Sequence, residues 1–444
     1  MSRSSMLPGR AWLGAALAAS WVIGCGGTTD SNPPPPPPPP PPTLSVTAAD
    51  PAFASRDVTL DVRVLGTGFG QGSRAVWRRN GDTAFATTRV KTNSTTFVSA
   101  SELRANIKIE ADAHLGPYDV MVVTAGGGSG IGSGKFGVTL SIAIIDLGTG
   151  DSSGASGVNN LGQIVGTMGG EFGTPGSRAF LWENGTIRDL GVLPGMTYSS
   201  AEKINESGEV VGASGNGSEQ LAFVWTEAGG MRALSSLGGS HSGAHAINDH
   251  GDIAGESKVP GFNSTDIHAV VWRNGVITDL DPVSAEGSRA WGINNSGEVV
   301  GRFGLRAFVW PPGGPGHVLE PRTGVVDNDN ALGIDDAGRI VGFRRRTADG
   351  QLVAYLWTAG VFREWGSGSN ATGINSRGQV VGVANGAFTA GAGNPFIWEG
   401  DERNLGLLPG MDRGQALDIN DNGWVVGVVS ALGGRSRAVL WKVK

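Results

Sequence analysis

Ala201-Glu202-Lys203-Ile204-Asn205-Glu206-Ser207-Gly208-Glu209-Val210-Val211-Gly212 is the stretch whose reading decides the fold. Apolar residues flank an Asn-x-x-Gly on both sides. Asparagine can close a turn with its own side chain, and a glycine three residues on supplies the left-handed backbone of a tight hairpin. The stretch therefore reads strand, hairpin, strand. The equivalent unit upstream continues with Arg178-Ala179-Phe180-Leu181-Trp182, a short apolar run ending in tryptophan, and then with Ile187-Arg188-Asp189-Leu190. These are a third and a fourth strand.

Working outward, the same unit occurs seven times. It opens at Ala155–Asn159, Ala201–Asn205, Ala244–Asn248, Ala290–Asn294, Ala331–Asp335, Ala371–Asn375 and Ala416–Asn420, at intervals of 46, 43, 46, 41, 40 and 45 residues. Each copy ends its third strand on a tryptophan: Trp182, Trp225, Trp272, Trp310, Trp357, Trp398 and Trp441. Four strands in about 43 residues is one blade of a β-propeller. Only Lys442, Val443 and Lys444 follow Trp441, so the seventh copy lacks a fourth strand, while Ile144-Ile145-Asp146-Leu147-Gly148 stands ahead of the first copy and matches Asp189-Leu190-Gly191. The expectation is a seven-bladed propeller over 140–444, its last blade closed by a strand from the N-terminal side. The units resemble the HAF repeat of bacterial extracellular proteins, which runs A-x-G-I-N-x-x-G-x-V-V-G, A-F-L-W, D-L-G. The fourth copy lacks the final Asp-Leu-Gly, and the sixth has Pro395 in place of alanine. The resemblance implies architecture and brings no activity.

The 139 residues ahead of the repeats divide in three. Residues 1–24 read as a secretory signal: Arg3 and Arg10 precede a 13-residue apolar stretch, Ala11 to Ile23, too short to span a bilayer. Val22-Ile23-Gly24-Cys25 resembles the lipobox of bacterial lipoproteins, which implies acylation at Cys25, the chain's one cysteine. Gly26 and Gly27 lack the aspartate that marks inner-membrane retention, so the resemblance implies a lipid anchor in the outer membrane, facing periplasm or exterior. Two or three acyl chains anchor a protein stably. Ten prolines, Pro33 to Pro42, complete a tether over 25–42. In polyproline II they span about 30 Å. From 43 to 139 the pattern is short alternating strands such as Leu60, Val62, Val64, consistent with six or seven strands of an immunoglobulin-like sandwich. Val64-Leu65-Gly66-Thr67-Gly68-Phe69 and Leu115-Gly116-Pro117-Tyr118-Asp119-Val120 resemble the IPT/TIG family, usually a spacer or binding module. Trp77 reads as core.

Composition narrows the function. The 444 residues include 74 glycines, without a collagen period; 39% are hydrophobic, 17% charged, and the net charge of −6 excludes a basic nucleic-acid-binding face. A single cysteine excludes a disulfide framework. The seven tryptophans read as packing between blades. A site is expected where copies differ on a shared cavity. The second residue of the opening strand is Ser156, Glu202, His245, Trp291, Leu332, Thr372 and Leu417, and the third is Gly or Ala except for Lys203 and Asp418. Glu202, Lys203, His245 and Trp291 thus bring an acid, a base, an imidazole and an aromatic face to three neighbouring units and are the candidate ligand-binding residues, with a satisfied ion pair and loose packing as the plainer account. No metal or cofactor is expected: His241 and His245 share a strand face without His250, and Asp327-Asn328-Asp329-Asn330 lacks the alternating acids of a calcium loop. Arg344-Arg345-Arg346 reads as a solvated hairpin edge. No nucleophile-elbow context marks a catalytic residue. The reading is a cell-surface lipoprotein acting as a non-catalytic binding or adhesion scaffold for a protein or glycan; the alternatives are a secreted propeller enzyme on polysaccharide and a structural envelope component.

Overall fold

All seven Ala-x-x-Ile/Val-Asn/Asp stretches are strands that turn back through Asn/Asp-x-x-Gly into a second strand. A computed structural model describes residues 43–82, 89–171, 173–260, 267–282, 286–319, 325–346, 349–384 and 393–444, the side chains of 325–327 excepted. The leader, Cys25 and the proline run fall outside the described residues. The chain is all-β, with no helix among the described residues. In each turn the asparagine or aspartate side chain accepts from the backbone four residues on, as in Asn205 Oδ1 to Glu209 N at 2.9 Å. Gly208 sits at φ 78°, a conformation an L side chain rarely adopts.

Each unit is a four-stranded antiparallel sheet in sequence order; the first is Gly154–Val158, Ile164–Met168, Arg178–Glu183 and Thr186–Asp189. The seventh is Arg413–Ile419, Trp424–Ser430 and Ser436–Val443, and its fourth strand is Ile142–Asp146, which pairs antiparallel with Ser436–Val443 (Trp441 opposite Ile144). In the fourth sheet, where the Asp-Leu-Gly is missing, the outer strand shrinks to His317–Val318. Elsewhere that motif has a mechanical role: Asp146, Asp189 and Asn404 accept from the glycine two residues on, and Leu147, Leu190 and Leu405 between them are buried.

First strands of successive sheets lie side by side, and that of the first sheet also lies against that of the seventh. A circuit of hydrogen bonds joins them. Asn159 Nδ2 donates to Asn205 O (3.0 Å), Asn205 to Asn248 O (3.1 Å), Asn248 to Asn294 O (3.0 Å), and Asn294 to Asp335 O (3.1 Å). Asn375 donates to Asn420 O (3.0 Å) and Asn420 to Asn159 O (2.8 Å). The Asp335 side chain has no N–H to give; Arg339 Nη2 reaches Ser376 O instead, at 2.7 Å, while its guanidinium is paired to Asp335. Between sheets the apolar faces bury the third-strand tryptophans to 0–9% exposure, Trp357 alone being less covered. That is the packing role expected of them.

Residues 45–139 form two further four-stranded sheets around one core that holds Val62, Val64, Trp77, Leu103, Ile107 and Phe136. The region has eight strands, the additional one being the short Phe53–Ser55. Trp77 packs edge-on to Phe136 at 5.0 Å, in the core as expected. Arg56 ties this region to the rest of the unit through Glu399 at 2.8 Å, both side chains only 13% exposed, and paired backbone bonds between Ser141 and Lys444 (2.9 Å each) extend the closing strand pair. One expectation is corrected here. Arg344 is not a solvated edge: it lies within the strand Ile340–Arg346 with its side chain 3% exposed, over the Phe362 ring at 4.1 Å and 3.3 Å from Glu364. Strand alternation turns it inward, and an acid and an aromatic two strands away receive it.

Candidate functional site

Every first strand carries a β-bulge at the same place, between the alanine and the residue two on. A bulge leaves one residue out of register and re-aims its side chain. The bulged residues are Ser156, Glu202, His245, Trp291, Leu332, Thr372 and Leu417, the variable position singled out in the sequence. Two carry their own local bond: Ser156 Oγ donates to Ala201 O (2.6 Å) and Thr372 Oγ1 to Ala416 O (2.8 Å).

The next residue inward is glycine in four sheets and alanine in the third, because backbones approach closely there. A Cβ on Gly157 would meet Glu202 O at 2.9 Å and Lys203 Cα at 3.0 Å. The two exceptions close on each other, Lys203 Nζ lying 2.6 Å from Asp418 Oδ1 while Asp418 Oδ2 accepts from Val158 N at 3.0 Å. Lys203 is therefore part of a narrow waist and does not join the other three candidates; the plainer account of a satisfied ion pair holds for it.

The waist divides two cavities. On the turn side one of about 200 Å³ is lined by the isoleucines and the Asn/Asp ring. Its acids, Glu206, Asp249, Asp336 and Asp421, each accept from the backbone N–H of the preceding sheet's turn. On the other side a funnel of about 690 Å³ opens, lined by Ser156, Thr167, Ser200, Glu202, Asn370, Thr372, Arg413, Gln415, Leu417 and Val428 among others. A further cavity of about 760 Å³ lies off this axis, between outer strands of the first two sheets, where Arg188 and Glu227 pair with each other.

Around the funnel the sheets differ in kind. Sheets six, seven and one contribute mainly hydroxyl, amide and apolar side chains, with Arg413 and Glu171 as their charged members. Sheets two to four contribute charge and rings. His245 and Trp291 lie with ring centroids 4.5 Å apart, tilted by 44°. Burial pushes the Glu202 carboxyl above its ordinary range, against the pull of His245 and Lys203. Glu256 is the reverse case. Burial opposes its charge, but the imidazoles of His241 (3.0 Å) and His245 (3.8 Å) and the Arg289 guanidinium (2.5 Å) hold it well below the usual carboxylate range. Buried side-chain atoms without a hydrogen-bond partner among the described residues include Asn370 Oδ1 and Arg413 Nε, of residues that line the funnel, and His245 Nε2 and Trp291 Nε1, at the bulge position that Ser156, Glu202, Thr372 and Leu417 bring to it. Such orphans are uncommon in folded proteins.

The structure thus brings together Glu202, His245 and Trp291 and adds Glu256, Arg289, Asn370 and Arg413. The last four sit one to three positions beyond the repeat motif, where the sequence offers no periodic signal. His241 and His245 do share a neighbourhood, but on a carboxylate, and no group of three or more His, Cys, Asp or Glu fit for a metal occurs among the described residues.

No family model and no curated protein matches the chain. Among solved structures it is similar to a candidate phosphatase of Bacteroides thetaiotaomicron, at 9% identity over 90% of this chain and 97% of that one, with a TM-score of 0.30. It is also similar to a DUF4784 family protein of Bacteroides caccae, at 10% identity over 81% and 95%, with a TM-score of 0.25. Likenesses this distant carry nothing to the site.

Proposed function

We propose that this chain is a lipid-anchored surface protein whose seven HAF-like repeats form a closed propeller, carried on an immunoglobulin-like domain of IPT/TIG type, and that it binds an extracellular glycan in the funnel. The sheet order, the strand borrowed by the seventh sheet and the circuit of asparagines support the propeller. The observation that carries the binding reading is the funnel, whose lining includes Asn370 and Arg413 with orphaned polar atoms, together with the Trp291 ring at the bulge position that Ser156, Glu202, Thr372 and Leu417 bring to it in other sheets. A polyhydroxylated chain offers donors and acceptors for the orphans and an apolar sugar face for the indole, which is how concave sites combine an apolar surface with a few placed polar groups. A rigid β scaffold holding such a mouth needs no bond-making chemistry to serve as a receptor.

The test is a glycan array probed with the full chain and with Trp291→Ala. The reading predicts binding that the substitution weakens by about tenfold or more. An array that stays blank, or signals indifferent to Trp291, would contradict it. The anchor is tested alongside: Cys25→Ala should move the protein from the membrane fraction to the soluble fraction, and continued sedimentation with membranes would refute acylation there.

A further inference from the structure

We infer that the glycan taken by the funnel is acidic, and that Arg302 receives its oxyanion, a carboxylate or a sulfate ester. This rests on the glycan reading above and names the class of ligand. Arg302 stands directly opposite Arg289 on the paired strands Ser288–Ile293 and Val299–Phe303. Like charges facing each other across strands destabilise a sheet. Arg289 has its counter-charge, Glu256, at 2.5 Å, and Glu256 is further engaged by His241 at 3.0 Å. For Arg302 no ion pair or hydrogen bond is found among the described residues, although it is half-buried.

Position makes this guanidinium part of the mouth. The residue after the second-strand glycine lines the funnel in the first, sixth and seventh sheets, as Thr167, Val383 and Val428, and it reaches the inner strand of the next sheet where Thr167 bonds Ser200 at 2.6 Å and Glu256 pairs with Arg289. Arg302 holds that position in the fourth sheet, beside the strand that carries Trp291. Burial and the facing Arg289 weaken its hold on its proton, against the pull of Glu256, which is itself paired with Arg289 and His241. A guanidinium is planar, weakly hydrated and forked, and pairs with oxyanions in two parallel bonds. An acidic sugar lying on Trp291 would place a negative group where the sheet carries an uncompensated positive one. Glu256, the acid that acts on Arg302, is already engaged by Arg289, His241 and His245.

The experiment is thermal unfolding of the full chain at low ionic strength with millimolar glucuronate, glucose 6-sulfate or glucose, repeated for Arg302→Met and Arg302→Lys. The inference predicts that one or both acidic sugars raise the melting temperature saturably. It also predicts that the effect fades with salt, weakens about tenfold in affinity or more with methionine, and weakens less with lysine. Glucuronate acting alone assigns a carboxylate, and glucose 6-sulfate acting alone a sulfate ester. Acidic sugars that stabilise wild type and Arg302→Met equally overturn it. If glucose alone stabilises, in a Trp291-dependent way, the funnel reading stands and the acidic class falls; if no sugar acts, both fall.

Discussion

Single residues hold the sheets to one another, and they do so in correlated pairs. Asn248 donates to Asn294 O at 3.0 Å and accepts from Asp252 N at 2.9 Å, all while 4% exposed. Where aspartate replaces asparagine, at Asp335, the residue four positions on is Arg339, which supplies the missing donor. A second pairing has the same logic. The serine two residues before the opening alanine accepts from the third strand of the preceding sheet, as Ser199 from Ala179 N and Ser242 from Ala222 N, both at 2.9 Å. Pro395 has no such N–H, and the serine position facing it is Gly414. The turn role of these asparagines was legible because Asn-x-x-Gly is a local rule. Their bond to the next sheet was not, since nothing in one unit says which carbonyl its neighbour will present. Asn248→Ala should cost about 3 kcal/mol in urea unfolding, because it removes one buried bond between sheets and strands turn amides. A loss below about 0.5 kcal/mol, the level of an ordinary surface substitution, would deny the circuit its role.

At the scale of elements, the bulge sorts the inner strand into two functions. One residue is thrown into the funnel, and the next is pressed into the waist. The sequence reading ran these positions together as a single patch of diverged residues, because a period-two alternation cannot register an extra residue. Arg344 shows the same limit in another place: three consecutive arginines look solvated until the third and fourth strands bring Phe362 and Glu364 against the first of them. For the waist the expected outcome is graded. Asp418→Asn keeps an acceptor for Val158 N and should cost about 1 kcal/mol, whereas Asp418→Ala loses both that bond and the partner of Lys203 and should cost about 2–3 kcal/mol. Equal losses in chemical denaturation would mean that the ion pair, and not the backbone bond, dominates there.

For the whole molecule the decisive element is the strand Ile142–Asp146, which enters from one end of the repeats and completes the sheet begun at the other. That was legible because outer strands carry their own Asp-Leu-Gly signature, present ahead of the first copy and absent after the last. The strand count of residues 45–139 was less so, since Phe53–Ser55 is three residues long and pairs parallel to Ser129–Thr139, with no hairpin to announce it. In the proposed ring, closure explains how seven units with no disulfide among the described residues hold a mouth together: the first strand of each sheet lies against those of two neighbours. Ala143 and Lys442 are opposite partners in the closing pair. The most direct measurement is therefore oxidative cross-linking of the full chain bearing Ala143→Cys and Lys442→Cys, with Cys25→Ala. Closure predicts a disulfide formed under native conditions within one chain, and a raised unfolding midpoint, since a tie across some 300 residues removes roughly 5–6 kcal/mol of unfolded-state entropy. Free thiols after oxidation of the folded protein, or disulfides formed only between chains, would contradict the ring.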